Sequence, residues 1–357
     1  MRKLLATALL TALASHAWAH NVELDEHSQL VPIPAYNLPY GPANAQNALK
    51  AATAFLTSFD EKTKARFVFT LDATERHEWS NLPAGIVDRS GISIGEMSDT
   101  QRGLLFDFLS SSLSEAGYQH VMNIMAAEAY LSQDKRAKRL KWAPENYWIS
   151  FYGNPSADGL WGWQYGGHHL ALNMAIENNR VESMSPSFVG TEPAVFTYNG
   201  VDYESVVAMH QASYAVFASL NKALQTKADA GRVPRDVHTG PGEDGYIPAQ
   251  IGLPASQMTP PQRKLLFTAI EQWVAIQPEE NAERRMQQIA DELDQLTFAW
   301  TGSNEVNSPC YLRIQSPSLI IELQSSGRNV GRSASQMGHY HTIYRNPLNE
   351  YGGIDRR

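Results

Sequence analysis

Cysteine is nearly absent from this chain. Cys310 is the only one in 357 residues, so no intramolecular disulfide can form. A lone thiol of this kind reads as a buried apolar residue. Long hydrophobic runs are missing too. Past the first few residues, no stretch approaches the roughly 18 apolar residues that a membrane helix needs. Positive charge is sparse and scattered: 29 Lys and Arg face 37 Asp and Glu, a net charge of −8. With no basic run, nucleic acid and anionic lipid are disfavoured as main partners. Stability must then come from a full apolar core, and the length suits one large domain or two fused halves.

What is present begins with an export pattern. Arg2 and Lys3 precede a short apolar run, Leu4 to Ala14, and Ala17-Trp18-Ala19 is a small-x-small cleavage site. Residues 1–19 therefore read as a signal peptide. Cleavage takes Arg2 and Lys3 away, moving the net charge from −8 to −10. The expectation is an exported chain, periplasmic or secreted, with no membrane insertion of the mature part. Cleavage would also make His20 the N-terminal residue, where amino group and imidazole together can chelate copper. The plainer reading is that the residue after a cleavage site is nearly arbitrary.

The chain also repeats itself. Gly91-Ile92…Met97…Gln101-Arg102-Gly103-Leu104-Leu105-Phe106 matches Gly252-Leu253…Met258…Gln262-Arg263-Lys264-Leu265-Leu266-Phe267 at an offset of 161. Both helices open on a hydroxyl N-cap with Gln at N3, a capping box. Further on, Trp161–Tyr165 parallels Cys310–Ile314, and His169–Asn173 parallels Ser318–Glu322, at an offset of 149. This predicts an α+β fold of two pseudo-symmetric halves, each helices followed by an antiparallel β-meander, from an internal duplication. A repeat this long is no solenoid. The expected layout is a first half over 20–200, a connecting segment over 201–256 and a second half over 257–357. The connecting segment reads as one helix, Tyr203 to Ala230, then a Gly/Pro-rich loop to Pro254 that suits a functional role.

Histidine clusters carry the chemistry. Gly166-Gly167-His168-His169 and Gly338-His339-Tyr340-His341 each border a strand-like segment. Residues two apart on a strand share a face, so His339 and His341 project together. By the same parity His168 and His169 diverge, and His169, sharing a face with Ala171 and Asn173, is the better partner. Three imidazoles with an open fourth position form a catalytic zinc pattern, and an oxidising compartment also permits copper. The candidate metal ligands are His169, His339 and His341, with His168 in reserve. Glu322, aligned with Asn173 in the repeat, would be a fourth ligand or general base. Arg345 would grip an anionic group of the substrate, or else pair with Glu350 or Asp355. Trp163, Gln164, Arg313 and Arg76 would line a substrate cleft. Paired histidines also occur as hydrogen-bonding groups in aromatic-rich cores, and alternating aromatics are more often core than cleft. Gly91-Ile92-Ser93-Ile94-Gly95 fits a nucleophile-elbow pattern, but the following helix starts too late for it.

These same residues carry a resemblance. Arg76-x-x-Trp79-x-Asn81-x-Pro83, Gly162–His169 and Phe188-x-Gly190-x-x-Pro193 belong to it. So does Tyr311-x-Arg313-Ile314-Gln315-x-Pro317…Glu322, followed by His339-x-His341-x-x-Tyr344-Arg345-x-Pro347 and Asn349-x-Tyr351-Gly352. Together they resemble the secreted bacterial family catalogued as domain of unknown function 3500, over nearly the whole mature chain. The resemblance marks these positions as the family's signature and supplies no reaction. Asn346 stands where an acidic residue is expected. From the residues themselves, the leading expectation is an exported metal-dependent hydrolase using zinc in preference to copper. Its substrate would be a small molecule or oligomer, and Arg345 would suit one with an anionic group. The alternatives are a copper-dependent oxidoreductase using the same histidines and a non-enzymatic periplasmic ligand-binding protein.

Overall fold

The computed structural model describes residues 42–306, 308–327 and 338–353. The proposed leader and His20 lie outside them. The chain opens with α1 (Ala45–Thr57), α2 (Glu61–Lys64), β1 (Val68–Phe69), β2 (Ile92–Ser93), α3 (Asp99–Ser112), α4 (Glu115–Leu131) and α5 (Ala137–Leu140). Next come β3 (Tyr147–Tyr152), β4 (Leu160–Gly167), β5 (Leu170–Glu177), β6 (Arg180–Ser183), β7 (Ser187–Thr191), β8 (Val195–Tyr198) and β9 (Val201–Glu204). Helices resume with α6 (Val207–Ala218), α7 (Lys222–Ala228), β10 (Leu253–Pro254), α8 (Pro260–Val274) and α9 (Glu279–Asp291). The last strands are β11 (Thr297–Gly302), β12 (Pro309–Ser316), β13 (Leu319–Ser326) and β14 (Tyr340–Arg345).

This is an α+β protein built on one large, mostly antiparallel sheet. Its main path runs β1-β3-β4-β5-β7-β14-β13-β12-β11-β10, with β2 on β3 and β6 on β5. Outward from the central β7–β14 pair, the order reads the same both ways: β5, β4, β3 and β2 on one side, β13, β12, β11 and β10 on the other. Helix α1 packs on α3, and α6 packs on α8. Both expected capping boxes form, Ser98 with Gln101 on α3 and Thr259 with Gln262 on α8. The segment expected as a single helix over Tyr203–Ala230 instead breaks into β9, α6 and α7. Asn221 takes a hydrogen bond from the Leu224 amide and starts α7 afresh, because an Asn side chain competes for backbone N–H groups.

Strand alternation gives the sheet two unlike faces. Tyr147, Ile149, Phe151, Trp161, Trp163, Tyr165, Leu312, Ile314, Ile321 and Leu323 belong to the main core, with Phe108, Met125 and Trp273 from the helices. The rings of Phe108 and Trp163 meet edge to face at 5.5 Å. The other face is polar, and two loops cover it instead of helices. Gln164 donates to the carbonyl of Arg76 in one loop. Gln324, Gln315 and Arg313 donate to the carbonyls of Pro234, Pro248 and Ala249 in the other. A small apolar cluster of Trp79, Ala171, Phe188, Val237 and Ile343 ties both loops to the centre of the sheet. Among the described residues, no helix is long and apolar enough to cross a membrane.

Candidate metal centre

The histidines meet where β4, β5, β7 and β14 come together. His168 and His169 are not strand residues, so the parity argument that separated them fails. They form the two-residue turn between β4 and β5. His169 sits at φ 63°, in the left-handed region. That conformation costs a non-glycine residue about 1 kcal/mol or more, so its surroundings must enforce it. They do: the His169 amide donates to the Asn81 carbonyl at 3.0 Å, and the Gly190 amide donates to the His169 carbonyl at 2.8 Å. Arg89 clamps the same corner, donating to the carbonyls of Ser80 at 2.7 Å and Gly167 at 3.1 Å. Gly190 leaves room for the ring. A Cβ there would come within 2.7 Å of the Tyr340 carbonyl and 3.3 Å of His169 Cδ2.

His341 lies on β14, opposite Gly190 and Gln324, and His339 just precedes the strand. Their rings converge on His169. His169 Nε2 is 3.1 Å from His339 Nε2, which is 3.1 Å from His341 Nε2. One ligand atom from each of the three lies within 4.8 Å of the others. Two imidazole nitrogens on one zinc at ~2.0–2.1 Å, at a tetrahedral angle, sit roughly 3.3 Å apart. The spacing and the donor chemistry therefore fit a divalent transition metal. Burial, then the neighbouring imidazoles of His168, His339 and His341, holds His169 well below the usual histidine range. Burial, then His341 and His168, brings His339 down to about 3. Both rings are thus neutral near pH 7, as metal binding requires.

Partners around the group fix its orientation. Asp236 takes a 2.7 Å bond from His341 Nδ1, which leaves Nε2 for the centre. Burial alone would raise Asp236, but His341 and the Val237 amide outweigh it and hold the carboxyl low. A carboxylate behind a ligating imidazole is the usual way a metal site sets tautomer and ring angle. Glu192 lies 3.9 Å from His339 Nδ1. His168 is engaged elsewhere: its Nδ1 lies 2.7 Å from Glu128 on α4, and its ring stacks on His169 at 3.9 Å.

The remaining sequence candidates are placed as follows. Glu322 is fully buried and outside the histidine group. One of its oxygens accepts from the Thr239 amide and hydroxyl at 2.8 and 2.9 Å, and the other from the Tyr311 hydroxyl. Arg345 donates to the carbonyls of Thr239 and Gly240 and pairs with Asp244 and Glu350. Both side chains hold the loop that carries Asp236. Arg76 donates to the Tyr351 carbonyl, and Gln164 also donates to Asn173. Trp163 lies on the helix-facing side of the sheet. Asp236, Glu128, Glu192 and Arg89 were missed in the sequence. For Glu128 a signal existed, a lone acid within the otherwise apolar run Ile124–Ala129 of a helix. For Asp236 the loop was flagged, but nothing distinguished this acid from its neighbours.

Two outcomes follow. Asp236→Ala frees the His341 ring, and metal affinity is expected to fall roughly 10- to 100-fold in a chelator competition. Metal-free protein is expected to lose stability on acidification. The unfolded chain takes up protons on His169 and His339 below about pH 6.5, while the folded chain resists down to about pH 3 for His339. The urea midpoint of chelator-treated protein should be flat above pH 7 and fall below 6.5. A midpoint that rises on acidification would contradict the burial of these rings.

Fold and site together define an α+β protein with a candidate three-histidine metal centre at the middle of its sheet. The chain belongs to the family described as Protein of unknown function (DUF3500), whose model matches residues 42–353. Neither a curated protein nor a solved structure matches the chain.

Proposed function

We propose that this protein is an exported metal-dependent hydrolase with His169, His339 and His341 as its metal ligands and zinc as its metal. One observation carries the reading: an imidazole from a turn and two from a segment about 170 residues on converge, with His339 Nε2 at 3.1 Å from Nε2 of both His169 and His341. Two of them are held neutral, and the third is oriented by Asp236. Zinc on three histidines is a Lewis acid that lowers the pKa of water it binds to ~7. Asp236 sets the His341 tautomer, and Arg89 and Asn81 hold the His169 turn. Glu322 and Arg345 act in this reading by fixing the Asp236 loop. Export rests on the leader pattern in the sequence.

Elemental analysis of the purified mature protein tests it, with hydrolysis of ester, amide and phosphoester panels before and after chelation. About one zinc per chain and chelator-sensitive hydrolysis are expected. Stoichiometric copper would replace this reading with the oxidoreductase one. No metal at all, even after reconstitution, would leave a ligand-binding protein.

We also infer that the two sides of the sheet descend from one duplicated unit, starting at α1 and α6. The palindromic strand order and the paired packing of α1 on α3 and α6 on α8 support it. Superposition of β2–β7 on β10–β14 tests the inference; helices landing on opposite faces would sink it.

A further inference from the structure

At the end of the β7–β14 pair away from the histidines lies a polar cavity of about 340 Å³. From His339 to Tyr344 along β14 is roughly 17 Å. Its walls come from the counterparts of elements around the metal centre. Helix α9 follows α8 in the chain as α4 follows α3, and the β12–β13 turn has the place in the strand order that the β4–β5 turn has on the other side. Ser318 is the second residue of its two-residue turn, as His169 is of the other.

The chemistry of this cavity is different. Two adjacent guanidinium groups on α9, Arg284 and Arg285, line it. Arg285 is only 6% exposed. It donates to the Tyr344 hydroxyl at 2.8 Å, the Ser318 hydroxyl at 2.9 Å, Gln288 at 3.3 Å and the Ser318 carbonyl. Arg284 donates to the Val181 carbonyl at 2.7 Å. These acceptors are all uncharged, and among the described residues neither arginine has a carboxylate within ion-pair distance. Two acids also line the cavity, and both are engaged. Glu182 pairs with Arg180, and Glu292 accepts from Ser316 and from the amide and hydroxyl of Ser318. Glu292 reaches Arg285 only through the Ser318 hydroxyl the two share. A buried cation with no carboxylate in direct contact is costly, and an anionic ligand would relieve that cost.

We propose that this cavity binds a small molecule through an oxyanion group, phosphate or carboxylate, held by Arg284 and Arg285. The planar guanidinium fork matches both groups. The volume falls within the ~300–1,000 Å³ typical of small-molecule sites. With Arg180 the lining holds three arginines against the carboxylates of Glu182 and Glu292, and this positive excess favours an anion over a neutral sugar.

The test uses the full mature chain and two probes, inorganic phosphate and succinate, each titrated by calorimetry at low salt. Saturable one-site binding of either is expected, and whichever binds more tightly assigns phosphate or carboxylate. Arg284→Ala is expected to weaken that probe about 10-fold or more. Arg284 is only half buried, so the variant should keep the parent unfolding temperature without ligand. A second variant, Arg284→Lys, should restore part of the affinity. If neither probe binds saturably, or if Arg284→Ala binds as well as the parent, the assignment is overturned.

Discussion

A His339→Ala protein is expected to emerge from a desalting column free of metal, while the parent chain keeps about one equivalent. Of the three rings, His339 makes both of the 3.1 Å approaches, one to His169 and one to His341. Its loss leaves two imidazoles, and two histidines alone do not make the closed or three-ligand sites that hold zinc firmly. The fold should survive. The His339 side chain is 21% exposed and precedes β14, so its removal takes no strand bond and little core. In chelator-treated protein the variant should even gain some stability at pH 5, because one depressed imidazole no longer opposes folding there. Metal content by mass spectrometry and urea midpoints with chelator separate the two effects. Parent-level metal in the variant would remove His339 from the site.

The His-x-His spacing was legible because a short-range rule governs it. His339 and His341 do share a face, although only His341 lies within the strand. The turn at His168 and His169 was not legible by parity, since a φ of 63° is set by contacts with Asn81 and Gly190 from distant parts of the chain. The capping boxes of α3 and α8 were read correctly for the same local reason as His-x-His. What could not be read was which buried charges serve each other. Glu322 and Arg345 look like site residues in a one-dimensional pattern. Their partners, Thr239, Gly240 and Asp244, lie on a loop about a hundred residues back, and only the folded sheet brings the two together.

That loop leads to the second large effect. Arg345→Met is expected to destabilise the protein by about 3–5 kcal/mol, the usual result of removing one partner from a buried ionic network. Arg345 is 1% exposed and lies over the Trp79 ring. Its Nε bonds the Thr239 carbonyl at 2.7 Å, and one terminal nitrogen reaches both Asp244 at 2.9 Å and Glu350 at 2.7 Å. Methionine matches the apolar length of the side chain, so the core contact is largely kept while the charge is lost. Asp244 and Glu350 and the carbonyls of Thr239 and Gly240 then lose the guanidinium they share. Arg345→Lys should recover little, because a single ammonium cannot span acceptors that a planar fork reaches together. The loop bearing Asp236 should loosen first, since Thr239 would lose its bond to Arg345 and keep those to Glu322. Metal affinity is therefore expected to fall along with stability, toward the 10- to 100-fold loss of Asp236→Ala. Urea unfolding at pH 7 and chelator competition measure both. A loss under ~1 kcal/mol would mean that the loop's other anchors, Gln324, Gln315 and Arg313, hold it without Arg345, and full metal affinity in a destabilised variant would uncouple Arg345 from the site.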